Sequence, residues 1–128
     1  MNVELDHTIV RARDKQRSAA FLADVLGLPV GAPTGPFLPI ETGNGVTLDF
    51  MDVQPATISS QHYAFAVAEE DFDAIHARVE AAGITYWADP DHNQQGAVDK
   101  RSGGARGFYF NDPDSHNMEV LTRAVTAG

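Results

Sequence analysis

Residues 3–10 open the chain as a strand-like run of apolar and polar positions. The period then changes. Ala19, Leu22, Val25 and Leu26 recur at helical spacing over residues 18–26. Asp14 stands ahead of them as a candidate N-cap, Gly27 sits where a C-cap glycine belongs, and Pro29 follows. Two short strands are predicted at about 35–41 and 46–52, separated by the tight-turn sequence Gly43-Asn44-Gly45. The same order then returns. Residues 61–67 read as a strand. Phe72, Ile75, Val79 and Ala82 line one face of a helix over 71–82, which Gly83 ends. Strand patterns follow at 84–88, 107–111 and 117–122, the last two joined by the turn Asp112-Pro113-Asp114-Ser115.

Each half is therefore a strand, a helix and two or three further strands, an internal repeat. The predicted fold class is α+β, one domain of two modules at about 1–53 and 61–123, with 53–60 as the link. His7 and His62 are 55 residues apart, Gly27 and Gly83 are 56 apart, but Asp49 and Glu119 are 70 apart. The offset grows because the second half carries an extra segment, 89–106. Its Gly, Asn, Gln, Asp and charged residues read as a mobile surface loop.

Strand parity picks out four polar residues, because alternate strand residues share a face. Tyr63, Phe65 and Val67 form an apolar face suited to packing on helices, while His62, Ala64 and Ala66 point the other way. Val46, Leu48 and Phe50 leave Thr47, Asp49 and Met51 opposite. Met118 and Val120 leave Asn117, Glu119 and Leu121 opposite. His7 shares a face with Leu5 and Ile9. Two imidazoles and two carboxylates suit a divalent cation such as Fe²⁺, Mn²⁺, Ni²⁺, Co²⁺ or Zn²⁺. A strand histidine is often a satisfied core or edge residue, and a strand carboxylate is often merely solvated. The repeat-related placement of all four is what favours a metal site.

Composition narrows the classes. The chain has 128 residues, enough for one domain with its own core. Cysteine is absent, which removes disulfides, thiolate zinc sites, iron–sulfur clusters and a thiol nucleophile. Nine basic against 18 acidic residues give a net charge of −9, which argues against nucleic acid and anionic lipid as partners. No apolar run is long enough for a membrane span and the first residues are not those of a signal peptide, so a soluble cytoplasmic domain is expected, with a cationic small molecule left open as a partner.

The chain resembles the vicinal oxygen chelate superfamily, which includes glyoxalase I, bleomycin resistance proteins, extradiol dioxygenases and fosfomycin resistance enzymes. The resemblance runs over essentially the whole chain. It rests on Asp6-His7-Thr8-Ile9, on Arg17 to Phe21 before Val25-Leu26-Gly27-Leu28, on Gln61 to Phe65, and on the closing stretch from Gly107 to Glu119. It implies two β-α-β-β-β modules forming a curved mixed sheet around a central cup. It implies a metal site from His7, His62 and Glu119, with Asp49 where many members add a carboxylate. It also implies a homodimer with shared sites, in which His7 and Asp49 of one subunit meet His62 and Glu119 of the other.

The branches differ in what they imply. The bleomycin-resistance branch generally lacks the metal ligands that this sequence keeps. The second half is especially similar to fosfomycin resistance proteins, and Tyr109 falls where that family has a substrate-contacting tyrosine, its candidate catalytic role here. Ile9, however, stands where a phosphonate-contacting threonine is expected, and residues 124–128 hold no basic residue to follow the last strand. Glyoxalase I is matched by Asp49 and Arg11 but not by Val53. The favoured expectation is a metal-dependent dioxygenase whose substrate chelates through two oxygens. The alternatives are a glyoxalase-type lyase or isomerase, and a non-catalytic drug- or metabolite-binding protein.

The other histidines read as structural: His76 on a helix, His92 in a solvated loop, His116 holding the Asp-Pro-Asp turn. Lys100, Arg101 and Arg106 form a small basic cluster on a loop able to fold over the cup, where they could contact an anionic substrate; a solvated loop is the favoured reading, with Gly103-Gly104 as its hinge.

Overall fold

A computed structural model describes residues 1–123, so the chain end Thr126-Ala127-Gly128, which bears on the missing basic residue, lies outside the described residues. The chain divides into two compact units, Met1–Ser59 and Ser60–Gly128.

The first unit is β1 (His7–Ala12), α1 (Lys15–Leu26), β2 (Phe37–Glu41) and β3 (Thr47–Asp52). Its sheet has the order β1-β3-β2, with β1 parallel to β3 and β2 antiparallel to it. The helix starts where the sequence predicts. Asp14 is extended (φ −142°) and its carboxylate accepts the backbone N–H groups of Gln16 and Arg17. It ends at Gly27, whose φ of 71° is a left-handed conformation that glycine adopts without steric cost. Ala19, Leu22 and Val25 are buried with Val10, Ile40, Leu48 and Phe50. That core fixes the parity of β3, so Leu48 and Phe50 face in while Thr47, Asp49 and Met51 stay partly exposed. β1 begins later than the alternation suggests, at His7. Val3 and Leu5 remain exposed.

The second unit is β4 (His62–Ala66), α2 (Glu69–Ala81), β5 (Tyr86–Trp87), β6 (Asp99–Lys100), β7 (Arg106–Asn111) and β8 (Asn117–Leu121). The strand order is β4-β8-β7-β5, and β6 pairs with β7 beyond β5. β4 runs parallel to β8, and β7 antiparallel to it. Phe72, Ile75 and Val79 of α2 are buried with Phe108, Phe110, Met118 and Val120. The Phe72 and Phe108 rings meet edge to face at 5.4 Å. The α+β class and the order of the elements agree with the sequence reading. The segment 89–106, by contrast, is not structureless: β6 and a 3₁₀ turn at Ser102–Gly104 lie within it. Among the described residues, no helix is long and apolar enough to cross a membrane.

Candidate metal-binding site

The two units build the same pair of residues in the same way. In the first, the register sets His7 beside Thr47 and Ile9 beside Asp49. In the second it sets His62 beside Asn117 and Ala64 beside Glu119. Each histidine thus opens its strand, and each carboxylate stands two residues past the histidine's partner on the parallel neighbour. Registered residues share a sheet face, so each pair is a diagonal neighbour on one face.

The second pair is closed. His62 Nε2 lies 3.0 Å from Glu119 Oε1. Ala64 lies beside Glu119 and contributes only a methyl group, which leaves room for the imidazole. Glu119 is 8% exposed, whereas His62 is about half exposed. Tyr109 of β7 registers with Glu119 on the other side, and its ring centroid is 5.8 Å from that of His62. Burial raises the Tyr109 hydroxyl above the ordinary tyrosine range, and the Glu119 carboxylate adds to this against the opposing effect of Arg101. The hydroxyl is therefore a proton donor at neutral pH.

The first pair is open. His7 Nδ1 lies 2.8 Å from Asp6 Oδ2. That contact holds the proton on Nδ1 and leaves the Nε2 lone pair for another partner. The Asp6 hydrogen bond raises the His7 imidazole above its ordinary value, with the negative charges of Asp6 and Asp49 adding to it. His7 and Asp49 line an open depression of about 480 Å³ with Asp6, Thr34, Phe37 and Glu41.

Both pairs fit a divalent cation in chemistry. Each offers an imidazole and a carboxylate. The 3.0 Å gap of the second pair equals the edge of an octahedron whose ligands stand about 2.1 Å from the ion. The same gap is also that of an ordinary hydrogen bond. Among the described residues, no group of three or more His, Asp or Glu side chains is brought together as a metal centre. The structure therefore brings His62 to Glu119, and His7 near Asp49, as two half-sets.

For Arg101 the favoured reading of a solvated cluster is corrected, and its partner is Glu119 of this chain. Its guanidinium turns inward. Nη1 donates to Glu119 Oε2 at 2.9 Å, Nη2 to the Tyr109 hydroxyl at 3.2 Å and Nε to Asp99 Oδ2 at 3.0 Å. Arg106 is likewise engaged, with Glu69 and Asp73 of α2 and over the Phe72 ring. The inward turn of Arg101 follows from burial: a carboxylate as enclosed as Glu119 needs a counter-charge. The sequence signal was Gly107, a strand position on the Glu119 face with no side chain.

His92 is a second correction. Its ring stacks on Trp87 at 3.9 Å with planes 4° apart, and Nε2 donates to Asn117 Oδ1 at 2.9 Å. The Asn117 amide in turn donates to the Pro90 carbonyl at 3.2 Å. His76 and His116 hold the structural places expected of them. His76 packs against Phe72, Tyr86 and Phe108. His116 is fully buried, and its Nδ1 accepts the Gln61 backbone N–H at 3.0 Å.

Known proteins match this chain along its length. The family model described as the Glyoxalase/Bleomycin resistance protein/Dioxygenase superfamily matches residues 4–120. "Glutathione transferase FosA" of Serratia marcescens is 35% identical over 130 aligned positions, covering 96% of this chain and 83% of its own. Among solved structures, "Oxidase ChaP-H2" is 53% identical with a TM-score of 0.92, covering 100% of this chain and 99% of its own. "Oxidase ChaP-H1" is 47% identical with a TM-score of 0.90, covering 95% and 97%. Lactoylglutathione lyase from Agrobacterium tumefaciens, 20% identical with a TM-score of 0.72, shares the fold over 95% of each chain. The chain belongs to the glyoxalase, bleomycin resistance protein and dioxygenase superfamily.

Proposed function

We propose that the protein is a divalent-metal-dependent oxidase of the dioxygenase type, acting on a small substrate that binds the metal through two neighbouring oxygens. The observation that carries this reading is the 53% identity, over the full chain, to a protein named an oxidase. The donor set supports it. His7, His62 and Glu119 are two imidazoles and one carboxylate, the set that holds Fe²⁺ with positions left open. Asp49 stands beside His7 as a fourth donor.

A bound cation of this kind supplies Lewis acidity and, as iron, the capacity to engage O₂. The chain's own residues do the rest. Asp6 fixes the His7 tautomer so that Nε2 is the nitrogen left to act as a ligand. Glu119 offers one oxygen toward His62. Tyr109 holds a hydroxyl proton beside Glu119, placed to hydrogen-bond a substrate oxygen. Each chain carries both half-sets, and a homodimer in which His7 and Asp49 of one subunit complete the His62 and Glu119 pair of the other gives two equivalent sites under two-fold symmetry.

Elemental analysis tests this, on protein purified without chelator or nickel affinity resin, beside His62→Ala and His7→Ala. About one ion per chain is expected, one site for each subunit of the symmetric pair, and it should be lost in both variants. Iron supports the oxidase. Nickel, zinc or cobalt instead supports a lyase or isomerase. Absence of metal, with none taken up on titration, overturns the enzyme and leaves a binding protein as the better account.

A further inference from the structure

The loop segment contributes a residue that the metal-site reading does not use. Arg101 is fixed at three points by side chains of three different strands or turns. Its Nε donates to Asp99 Oδ2, its Nη1 to Glu119 Oε2 and its Nη2 to the Tyr109 hydroxyl, at 3.0, 2.9 and 3.2 Å. It also has a built seat. A Cβ added at Gly107 would lie 2.5 Å from Arg101 Nη2 and 2.7 Å from Cζ, so the guanidinium lies flat against a strand position that only glycine leaves open. Gly107 is on the same sheet face as Tyr109 and Glu119, two residues along β7 from the tyrosine.

The two oxygens of Glu119 are thereby divided. Oε1 faces His62 Nε2 at 3.0 Å, and Oε2 is held by the arginine. To give both oxygens to one cation the Glu119 carboxylate must swing away from its present orientation, and the arginine on Oε2, itself held by Asp99 and the Tyr109 hydroxyl, opposes that swing. We propose that Arg101 is a positioning residue that restricts Glu119 to binding the cation through one oxygen, keeping a coordination position open for the substrate's second oxygen. This inference rests on the metal site of the preceding section. The count of positions gives it its function. Two histidines and the two carboxylates of Asp49 and Glu119, each through one atom, leave an octahedral ion two places for a chelating substrate, and a two-oxygen Glu119 removes one of them. Orientation of a ligating carboxylate by a hydrogen bond to its distal oxygen is a general device of metal sites.

Water proton relaxation of the Mn²⁺-loaded protein reads the number of exchanging waters on the ion, with occupancy matched by titration. Wild type is expected to retain the waters of the open positions. Arg101→Ala is expected to lose about one of them as Glu119 closes on the ion with both oxygens. Gly107→Ala is expected to do the same, because its methyl displaces the guanidinium while the charge stays in the chain. Arg101→Lys is not expected to restore the wild-type count, since one ammonium cannot hold three separated acceptors in a planar fork. A merely structural role would lower resistance to urea and leave the water count unchanged. Equal hydration of wild type, Arg101→Ala and Gly107→Ala overturns the inference while the metal site stands. Wild type that takes up no Mn²⁺ overturns the metal site and the inference together.

Discussion

His62 Nε2 meets Glu119 Oε1 at 3.0 Å although the strand register pairs His62 with Asn117 and Glu119 with Ala64. The contact is diagonal, and it forms because Ala64 leaves the intervening space to the imidazole. The same diagonal relates His7 to Asp49. There the shorter aspartate and the Asp6 hydrogen bond leave the pair open. Duplication thus supplied one geometry twice, and the second copy added a counter-charge. Pro39 occupies the register place in β2 that Tyr109 holds in β7, and only the second copy carries the segment with Arg101.

Glu119 and His62 should therefore separate in their effects on stability. Glu119→Ala strands the Arg101 guanidinium beside a cavity that held its acceptor. A fully buried pair loses about 3–5 kcal/mol when one partner is removed. Arg101 is about a quarter exposed, so we expect roughly 2 kcal/mol. His62 is about half exposed, and His62→Ala should stay within roughly 0.5 kcal/mol of wild type. Urea unfolding without metal measures both. Equal midpoints for the two variants would mean that the Arg101–Glu119 pair contributes nothing to the fold.

Most of the scaffold was legible in the sequence because each signal was local. Asp14 and Gly27 bound α1 as their chemistry requires, and the alternation Leu48/Phe50 against Thr47/Asp49 sorted β3 onto its faces. The candidate ligands followed from that parity. Arg101 and His92 were not legible, since each takes its place from partners 18 and 25 residues away. No periodicity spans a segment whose strand is only two residues long, as β6 is. What was available was indirect: a buried acidic residue demanding a cation, and a glycine where a strand side chain was due. The start of β1 was misplaced for a related reason, because the apolar positions Val3 and Leu5 continue the pattern without having a core to enter.

The turn before β8 carries a pH dependence of its own. Asp112 is buried, and one of its oxygens accepts the backbone N–H groups of Asp114 and His116, at 2.9 and 2.8 Å, while the other has no hydrogen-bond partner. Burial pushes its carboxyl above the ordinary aspartate value, and the backbone hydrogen bonds only partly offset this. The folded chain then binds this proton more readily than the unfolded chain does. Its contribution to stability falls as pH rises from about 4 toward the raised folded value, and is lowest above it. In Asp112→Asn the amide oxygen keeps both N–H bonds and no charge is buried. Wild type should gain stability relative to the variant as pH drops from neutral toward 4.5, in paired urea titrations. A constant difference across that range would remove Asp112 as the source.

The anchoring of the segment 89–106 should be visible in the single tryptophan. Trp87 lies against the His92 ring, and His92 is held in a left-handed backbone conformation, φ 61°, while it donates to Asn117. The strain of that conformation is offset by the stack and the hydrogen bond together. His92→Ala removes both, so the indole should lose its stacked neighbour and its emission should rise. Cleavage within 89–106 by a non-specific protease should accelerate several-fold, as expected when a local opening becomes easier. His92→Phe keeps a ring for the stack but has no donor for Asn117, so it should retain the emission of wild type and still lose protection. Asn117 and Glu119 lie on one face of β8, so the segment grips that face at two points, His92 on the first and Arg101 on the second. A His92→Ala protein with wild-type cleavage rates would show that His92 does not hold the segment, and would leave its anchorage to the Asn117–Pro90 hydrogen bond, the β6–β7 pairing and Arg101.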